Sequence, residues 1–255
     1  MTRARQWAAP TAAALLLVAE ASAAQSGRPR PPVTVGAAVV ASPSPYAGID
    51  EPPLTAVPFV NFELGRFYLR GLEAGFRLWE RGPLSVAAVV QPRFQSYQAD
   101  ESPALAGMAD RRRTAEGGAR ANVRLGRFEA GVRAVTDLLG RHRGQEITAD
   151  MGWRFGGPQW SLSPSVGVVW ESAEFVDYYY GVRPGEATAE RPAFDGDAAT
   201  NRFVGLAGRY RLTKRLGLFA LVRHTWLDDT ITASPIVDTD NDYSGVLAVT
   251  YAFGI

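Results

Sequence analysis

The stretch that decides the fold is YSGVLAVTYAF, residues 243–253, in which side chains alternate in character along the chain. In an extended strand, successive side chains point to opposite faces. One face is large and apolar with aromatic rings at both ends, and comprises Tyr243, Gly245, Leu247, Val249, Tyr251 and Phe253. The other face is small and partly polar. This pattern fits a strand between hydrocarbon and a barrel lumen, and taken alone it fits an edge strand of a soluble sandwich equally well.

The same alternation recurs through the preceding chain. It occupies residues 115–125, 128–137, 146–155, 160–170 and 202–212. Each of these stretches places ionisable or hydroxyl groups on the face opposite the apolar one. Because a soluble β-sandwich buries one face of each sheet and wets the other, it would give the same alternation.

Two further features favour a membrane barrel over a sandwich. Aromatic residues lie mostly near strand ends, where interfacial girdles are found. The connections also alternate in length: residues 125–127, 156–159 and 213–215 are short, whereas 96–114, 171–201 and 227–242 are long. Short periplasmic turns and long external loops are typical of outer-membrane barrels. We therefore place the chain end in the periplasm and the long connections outside.

The number of strands depends on one irregular stretch. The chain contains eleven alternating segments, whereas single-chain bacterial barrels have an even number of strands. Phe67 and Leu69 set one phase and Ala74 and Phe76 the opposite one, so the alternation slips near Gly71. A turn there gives twelve strands; a bulge, with the first segment outside the barrel, gives ten. We predict an all-β, transmembrane, antiparallel up-and-down barrel and favour twelve strands.

The N-terminus has the pattern of a secretory signal. Arg3 and Arg5 precede an apolar run over residues 7–19 and a small-residue cleavage sequence at 21–24. We assign residues 1–24 to the signal peptide, 25–32 to a flexible leader and 33–255 to the barrel. No other stretch approaches the roughly 18 uncharged apolar residues of a membrane-spanning helix.

Composition bounds the chemistry further. The chain has no cysteine, which removes disulfides and thiolate metal sites, and its net charge is +1. No dense basic patch is visible beyond residues 111–113, and we expect no nucleic-acid partner. The sequence leaves the oligomeric state open.

Six short stretches carry a family resemblance across nearly all of the mature chain. They are Ser44-Pro45-Tyr46-Ala47-Gly48, Pro58-Phe59-Val60-Asn61-Phe62, Gly65-Arg66-Phe67-Tyr68-Leu69, Tyr179-Tyr180-Gly181-Val182, Tyr210-Arg211-Leu212-Thr213 and Ser234-Pro235-Ile236-Val237. In this order and spacing the chain resembles the MipA/OmpV family of outer-membrane proteins. The resemblance implies localisation in the outer membrane of a Gram-negative cell envelope.

The resemblance also implies a choice of functions. Family members have been described as a scaffold joining a lytic transglycosylase to a penicillin-binding synthase, and others as porin-like or adhesive proteins. We expect a non-enzymatic scaffold for peptidoglycan-remodelling enzymes. The alternatives are a small porin for cationic or zwitterionic solutes and a surface adhesin that uses loops 171–201 and 227–242.

The residues themselves offer little catalytic or metal-binding chemistry. No G-x-S-x-G stretch, Ser/His/Asp ordering or phosphate-cradling loop is present, so we expect neither an enzyme nor a cofactor. Asp238, Asp240 and Asp242 imitate the opening of a calcium loop. Because Tyr243 and Val249 stand where such a loop needs glycine and glutamate, these three aspartates are weak candidates and a solvated acidic loop is favoured.

Charged residues suggest two further sites. The arginines Arg111, Arg112 and Arg113 lie in an external loop, where they could contact the phosphates of lipopolysaccharide or form a solvated charge run. A second set faces the predicted lumen: Arg93, Glu116, Arg120, Arg124, Glu129, Arg133, Asp150, Arg154, Arg209 and Arg211. These groups could line a polar channel or pair with one another and plug it. The sequence leaves both possibilities open.

Overall fold

The computed structural model describes residues 33–49 and 54–253. The predicted signal peptide and leader lie outside this range. The strands are β1 (Val33–Ala41), β2 (Leu54–Leu64), β3 (Phe67–Arg70), β4 (Glu73–Arg81), β5 (Leu84–Arg93), β6 (Thr114–Leu125), β7 (Phe128–Asp137), β8 (Gln145–Trp153), β9 (Phe155–Gly156), β10 (Trp160–Glu171), β11 (Ala199–Arg211), β12 (Leu216–Trp226) and β13 (Asn241–Phe253).

The strands form one closed antiparallel sheet. Neighbours in sequence pair in order, β13 pairs with β1, and β10 pairs with β11. The two-residue β9 continues the edge of β8 alongside β10, which it meets through Gly156 and Phe155. Counted as one strand, β8 and β9 give a twelve-stranded barrel. The predicted fold class and strand number are therefore confirmed.

The irregular stretch near Gly71 is a turn. β3 pairs with β4 from Arg70 opposite Glu73 to Phe67 opposite Phe76, so Gly71 and Leu72 form a two-residue connection. Gly71 has a φ of 61°, a left-handed conformation that glycine adopts without a Cβ clash. This turn explains the change of phase, because it reverses the chain between two short runs of alternation.

The two faces of the wall differ as the sequence indicates. Exposed apolar side chains point outward toward lipid, and aromatic residues gather near the end with short turns: Phe67, Trp79, Trp153, Phe155, Trp160, Tyr210 and Phe253. Trp226 and Tyr243 lie near the opposite end. Inward positions carry the buried charged and apolar residues. Lipid therefore meets a continuous apolar band, as an outer-membrane barrel requires.

The connections differ strongly between the two ends. One end, the periplasmic rim, carries five short hairpin turns at residues 65–66, 82–83, 126–127, 157–159 and 212–215. The other, external end carries long connections that contain the helices α1 (Ala173–Tyr180) and α2 (Asp229–Thr232). No helix in the described part of the chain has the length and apolar character to cross a membrane.

Candidate functional site

The external loops pack together into an apolar core that we call the loop cap. It draws on the loops at residues 42–49, 94–113, 172–198 and 227–240 and on Ala199, the first residue of β11. Its buried members are Tyr46, Tyr97, Leu105, Met108, Phe175, Val176, Tyr179, Tyr180, Val182, Ala199, Ile231 and Ile236. The buried side chains of α1 recur at helical spacing, so one face of this helix enters the core. The loop cap covers the external mouth of the barrel.

A buried ion pair joins two loops of the cap. Arg111 is 2% exposed, and its guanidinium lies 3.0 Å from the carboxylate of Glu186. Arg111 also donates to the backbone carbonyls of Tyr178 and Ala109, at 2.5 and 2.8 Å. Burial alone would raise the pKa of Glu186, but hydrogen bonds from Arg111 and from backbone N–H groups lower the pKa to about 2. The two opposite charges thus stabilise each other in the buried pair.

This burial corrects the expectation for Arg111 as a lipopolysaccharide contact. Its donors are directed into the cap, where Glu186 and backbone carbonyls accept them. Arg112 and Arg113 are exposed on the loop surface. Contact of these two residues with lipopolysaccharide stays a prediction.

A second buried arginine, Arg191, also links loops of the cap. Arg191 is buried and donates to the carbonyls of Ala104, Ala106 and Glu186, at 2.6, 3.1 and 2.7 Å. It thereby joins loop 172–198 to loop 94–113. The Ser234 hydroxyl donates to the backbone carbonyl of Tyr180 at 2.6 Å and thereby joins loop 227–240 to loop 172–198.

A network of buried ion pairs lies in the lumen beneath the cap. Arg93 pairs with both Glu116 and Glu146, and Arg133 lies 3.0 Å from Glu146. Gln91 donates to Glu116 at 3.0 Å. All five residues are buried. Opposite charges held at these distances in a low-dielectric interior attract strongly, and each partner is needed to compensate the desolvation of the other.

A second ion pair and an apolar cluster occupy other parts of the lumen. Arg120 lies 3.1 Å from Glu73, which accepts a hydrogen bond from the Tyr68 hydroxyl at 3.2 Å. The apolar cluster, which we call the lumen cluster, consists of Ala38, Val40, Phe59, Phe219, Leu221, Val246 and Ala248. Side chains from several walls therefore meet across the interior.

A small polar cavity lies between the network and the cap. Its volume is about 70 Å³. Charged groups of both signs line it, including Arg93, Arg223, Glu146, Glu171 and Asp242. A space of this size holds a few water molecules.

The remaining predicted lumen residues lie closer to the periplasmic rim. Arg124 and Arg154 lie 2.8 and 3.6 Å from Glu129, and Asp150 is half-buried on β8. Arg209 stacks over the Phe219 ring, with 5.5 Å from its guanidinium carbon to the ring centroid.

Arg211 departs from the expectation of a lumen position. It is exposed at the periplasmic rim, where its guanidinium donates to the carbonyl of Pro158. The strand β11 ends at this residue, so its side chain reaches beyond the wall and joins the neighbouring turn.

The three aspartates with a calcium-like spacing do not come together. Asp238 accepts a hydrogen bond from the Gly48 backbone at 3.4 Å, while Asp242 lines the inner cavity from β13. In residues 33–49 and 54–253, no group of three or more His, Cys, Asp or Glu side chains is placed to hold a metal ion. Asp238 and Asp240 lie in the loop before β13, whereas Asp242 lies within that strand, so loop and strand carry the carboxylates to different places.

The periplasmic rim carries a ring of exposed basic residues. They lie on or beside four of the five turns, and are Arg66, Arg81, Arg127, Arg211, Lys214 and Arg215. Glu80 is the exposed acidic residue beside these turns. Within the described residues, Arg66, Arg81, Arg127 and Lys214 have no carboxylate within ion-pair distance. The rim thus presents donors and positive charge toward the periplasm.

Sequence reasoning missed the loop cap and the basic ring. Phe175, Val176, Tyr179 and Tyr180 repeat at helical spacing inside a predicted loop, a signal that indicates a buried helix face. The ring was hidden because its residues are far apart in sequence. Only the alternation of short turns brings them to one rim.

Comparison with known proteins agrees with the barrel. The family described as MltA-interacting protein MipA matches residues 35–253. The MltA-interacting protein of Escherichia coli (strain K12) is 27% identical over 231 residues, which cover 86% of this chain and 90% of that protein. Outer membrane protein OmpV of Vibrio cholerae is 27% identical over 158 residues, 62% of each chain.

Two solved structures have similar coverage at low identity. The NanC porin is 9% identical, with a TM-score of 0.48 over 85% of this chain and all of that one. An outer membrane channel from Pseudomonas putida F1 is 12% identical, with a TM-score of 0.46 over 89% and 97% of the two chains. The family match spans the barrel from its first strand to its last. The chain is an outer-membrane β-barrel protein and belongs to the MipA family.

Proposed function

We propose that this protein is a non-enzymatic scaffold that holds peptidoglycan-remodelling enzymes at its periplasmic rim. The observation that carries the proposal is the contrast between a filled lumen and an exposed basic rim. The buried pairs of Arg93, Glu116, Glu146 and Arg133 occupy the interior, and the loop cap covers its external mouth. A barrel filled in this way offers solutes no wide path.

The basic ring gives the rim a means of binding. Guanidinium groups recognise carboxylates through paired hydrogen bonds, and the positive charge raises the rate of encounter with an acidic surface. Arg66, Arg127 and Lys214 lie on three separate turns. A partner that contacts all three must therefore cover a broad part of the rim. We therefore expect the docked enzyme to present an acidic patch to the rim.

The family supports the choice of partner class. The relative from Escherichia coli is named for interaction with MltA, and the family resemblance connects such proteins with a lytic transglycosylase and a penicillin-binding synthase. The rim faces the compartment in which peptidoglycan is remodelled. Enzymes of these two classes are accordingly the partners we propose.

Co-purification from crosslinked cell envelopes tests this function. The tagged protein should recover a transglycosylase or a synthase. The triple variant Arg66→Gln, Arg127→Gln and Lys214→Gln should recover several-fold less, because it removes three exposed charges from the rim. The matched control, Arg112→Gln, Arg141→Gln and Arg143→Gln, removes three exposed charges from the external loops and should recover as much as the wild type.

Failure of the wild-type protein to recover either enzyme, under conditions that retain other envelope complexes, would contradict the scaffold. Equal recovery by the rim variant and the control would keep the scaffold and exclude the basic ring as its docking surface. Heat-modifiable migration on gels establishes that each variant forms the barrel.

A further inference from the structure

An arginine lies on the lipid-facing surface of the barrel wall. Arg202 of β11 is exposed on the same face as Thr200 and Val204, while Asn201 and Phe203 are buried on the inward face. Among the outward positions of the described strands β5 to β13, Arg202 is the one Asp, Glu, Lys or Arg side chain. A full charge on this otherwise apolar face indicates a contact that the barrel fold alone does not require.

Arg202 lies close to the external end of the wall. It is the fourth residue of β11 and lies opposite Trp226, the last residue of β12, which in turn lies opposite Asn241, the first residue of β13. A charged side chain on the lipid face of a barrel is costly at the bilayer midplane and much less so near the interface. This position therefore places the guanidinium at the level of the outer-leaflet head groups.

Aromatic side chains accompany Arg202 on the same face. Trp226 and Tyr243 are 45% and 58% exposed. His224 lies between them, with its ring centroid 4.3 Å from that of Trp226 and 4.5 Å from that of Tyr243. Trp and Tyr rings favour the head-group level of a membrane, where the ring meets hydrocarbon and its polar atom meets water. We call Arg202, His224, Trp226 and Tyr243 the interfacial patch.

The hydrogen-bond donors of Arg202 are not used by the part of the protein that the structure describes. No carboxylate there lies within ion-pair distance of its guanidinium. The charge of Arg202 acts on the Asp228 carboxylate from beyond that distance, and this carboxylate accepts the N–H groups of Thr200 and Thr230 at 3.0 and 2.9 Å. Arg202 therefore keeps its donors for a ligand outside the protein.

The wall between the interfacial patch and the bilayer midplane is apolar. Leu206, Val222 and Leu247 continue the outward faces of β11, β12 and β13, and are 43%, 59% and 59% exposed. A lipid whose head group reaches Arg202 thus lays its acyl chains against these side chains. The surface combines a cationic donor at head-group level with an apolar face beneath it.

We propose that the interfacial patch binds a phosphate group of lipopolysaccharide in the outer leaflet, with Arg202 as its donor. The planar guanidinium matches the geometry of a phosphate and donates two parallel hydrogen bonds to it. This glycolipid carries phosphate at head-group level and acyl chains below, so one molecule meets both parts of the surface. The site lies on the barrel wall, apart from the loop residues Arg112 and Arg113, and does not depend on the scaffold function.

Native mass spectrometry of the refolded protein in detergent micelles tests the site. The probe is lipid A, the phosphate-bearing anchor of lipopolysaccharide. The variant Arg202→Gln should retain several-fold less lipid A than the wild type, because the neutral amide lacks both the charge and the paired donors. The matched control, Arg141→Gln, removes one charge from an exposed residue of an external loop and should retain as much as the wild type.

Two further arms identify the group that is bound. Lipid A from which the phosphates have been removed enzymatically should bind the wild type as weakly as intact lipid A binds Arg202→Gln. Inorganic phosphate at millimolar concentration should leave intact lipid A bound, because it lacks the acyl chains that contact the wall. Heat-modifiable migration verifies that both variants form the barrel.

Equal retention of lipid A by the wild type and Arg202→Gln would overturn the proposal. An equal loss in Arg141→Gln would also overturn it, because any external arginine would then serve. Undiminished binding of the dephosphorylated lipid would mean that the acyl chains alone are recognised. Displacement of lipid A by inorganic phosphate would assign the patch to the free anion instead of a lipid.

Discussion

The external loop cap and the periplasmic rim both connect neighbouring strands, but their connections are stabilised by different contacts. Each rim turn is closed by its own hairpin, as Leu125 opposite Phe128 closes residues 126–127. The external loops are stabilised by contacts with one another, made by the apolar core and by the buried side chains of Arg111 and Arg191. A change in the cap should therefore spread through several loops, whereas a change at the rim should stay local. The rim is thus the end at which binding residues can vary at little cost to the barrel.

The largest effect is expected at the buried ion pair of the cap. Arg111→Ala leaves Glu186 without its partner, and loss of one member of a buried pair costs roughly 3–5 kcal/mol. Hydrogen exchange in the helix Ala173–Tyr180 should accelerate, while exchange in β10 and β11 stays slow. If exchange is unchanged in that helix, the loops are held independently and the contrast with the rim fails.

A smaller effect of the same kind is expected from pH. The pKa of Glu186 falls to about 2 in the folded protein, from an ordinary value of 4.5. Its carboxylate therefore stabilises the cap fully above the unfolded pKa, and this contribution is lost as the pH falls toward 2. Protection of the cap amides should decline between about pH 4.5 and pH 2.

The variant Glu186→Gln supplies the control for the pH effect. It should weaken the cap at neutral pH and flatten the decline below pH 4.5. An equally steep decline in the variant would assign the pH effect to another group.

Trimming the apolar core should have a modest effect. Ile236→Val removes one buried methylene from the cap and should cost about 1 kcal/mol. The matched change Ile147→Val alters a lipid-facing residue on β8 that is partly exposed. Urea titration of the refolded protein, read by exchange in the cap, should separate the two. A larger loss from Ile147→Val would contradict the assignment of the cap as a packed core.

The smallest effect is expected at the rim. Arg127→Gln changes an exposed residue in a turn, and substitutions of this kind usually alter stability by less than about 0.5 kcal/mol. The midpoint of barrel unfolding in urea should match that of the wild type. A clear drop would mean that the rim arginines hold the barrel together, which would weaken their assignment as a docking surface.

Much of the barrel could be predicted from the sequence because the wall obeys local rules. Alternation of side chains fixes which face of each strand meets lipid, and the phase change at Gly71 located the extra turn. The interior contacts could not be predicted in this way. Arg111 is one of three consecutive arginines, and nothing in that run distinguishes it from the other two. It is buried because Glu186 and the carbonyl of Tyr178, which are distant in sequence, accept its hydrogen bonds.

Local patterns therefore predict the barrel, while the seals between its loops depend on contacts between distant residues, such as those of Arg191 with the carbonyls of Ala104 and Ala106.

Recording ion conductance in planar bilayers most directly tests the claim that the lumen is filled and the function lies at the rim. The refolded wild-type protein should insert without producing stable conductance steps, because the loop cap and the Arg93 network occupy its interior. Reproducible steps from the wild-type protein would contradict this account and favour a small porin.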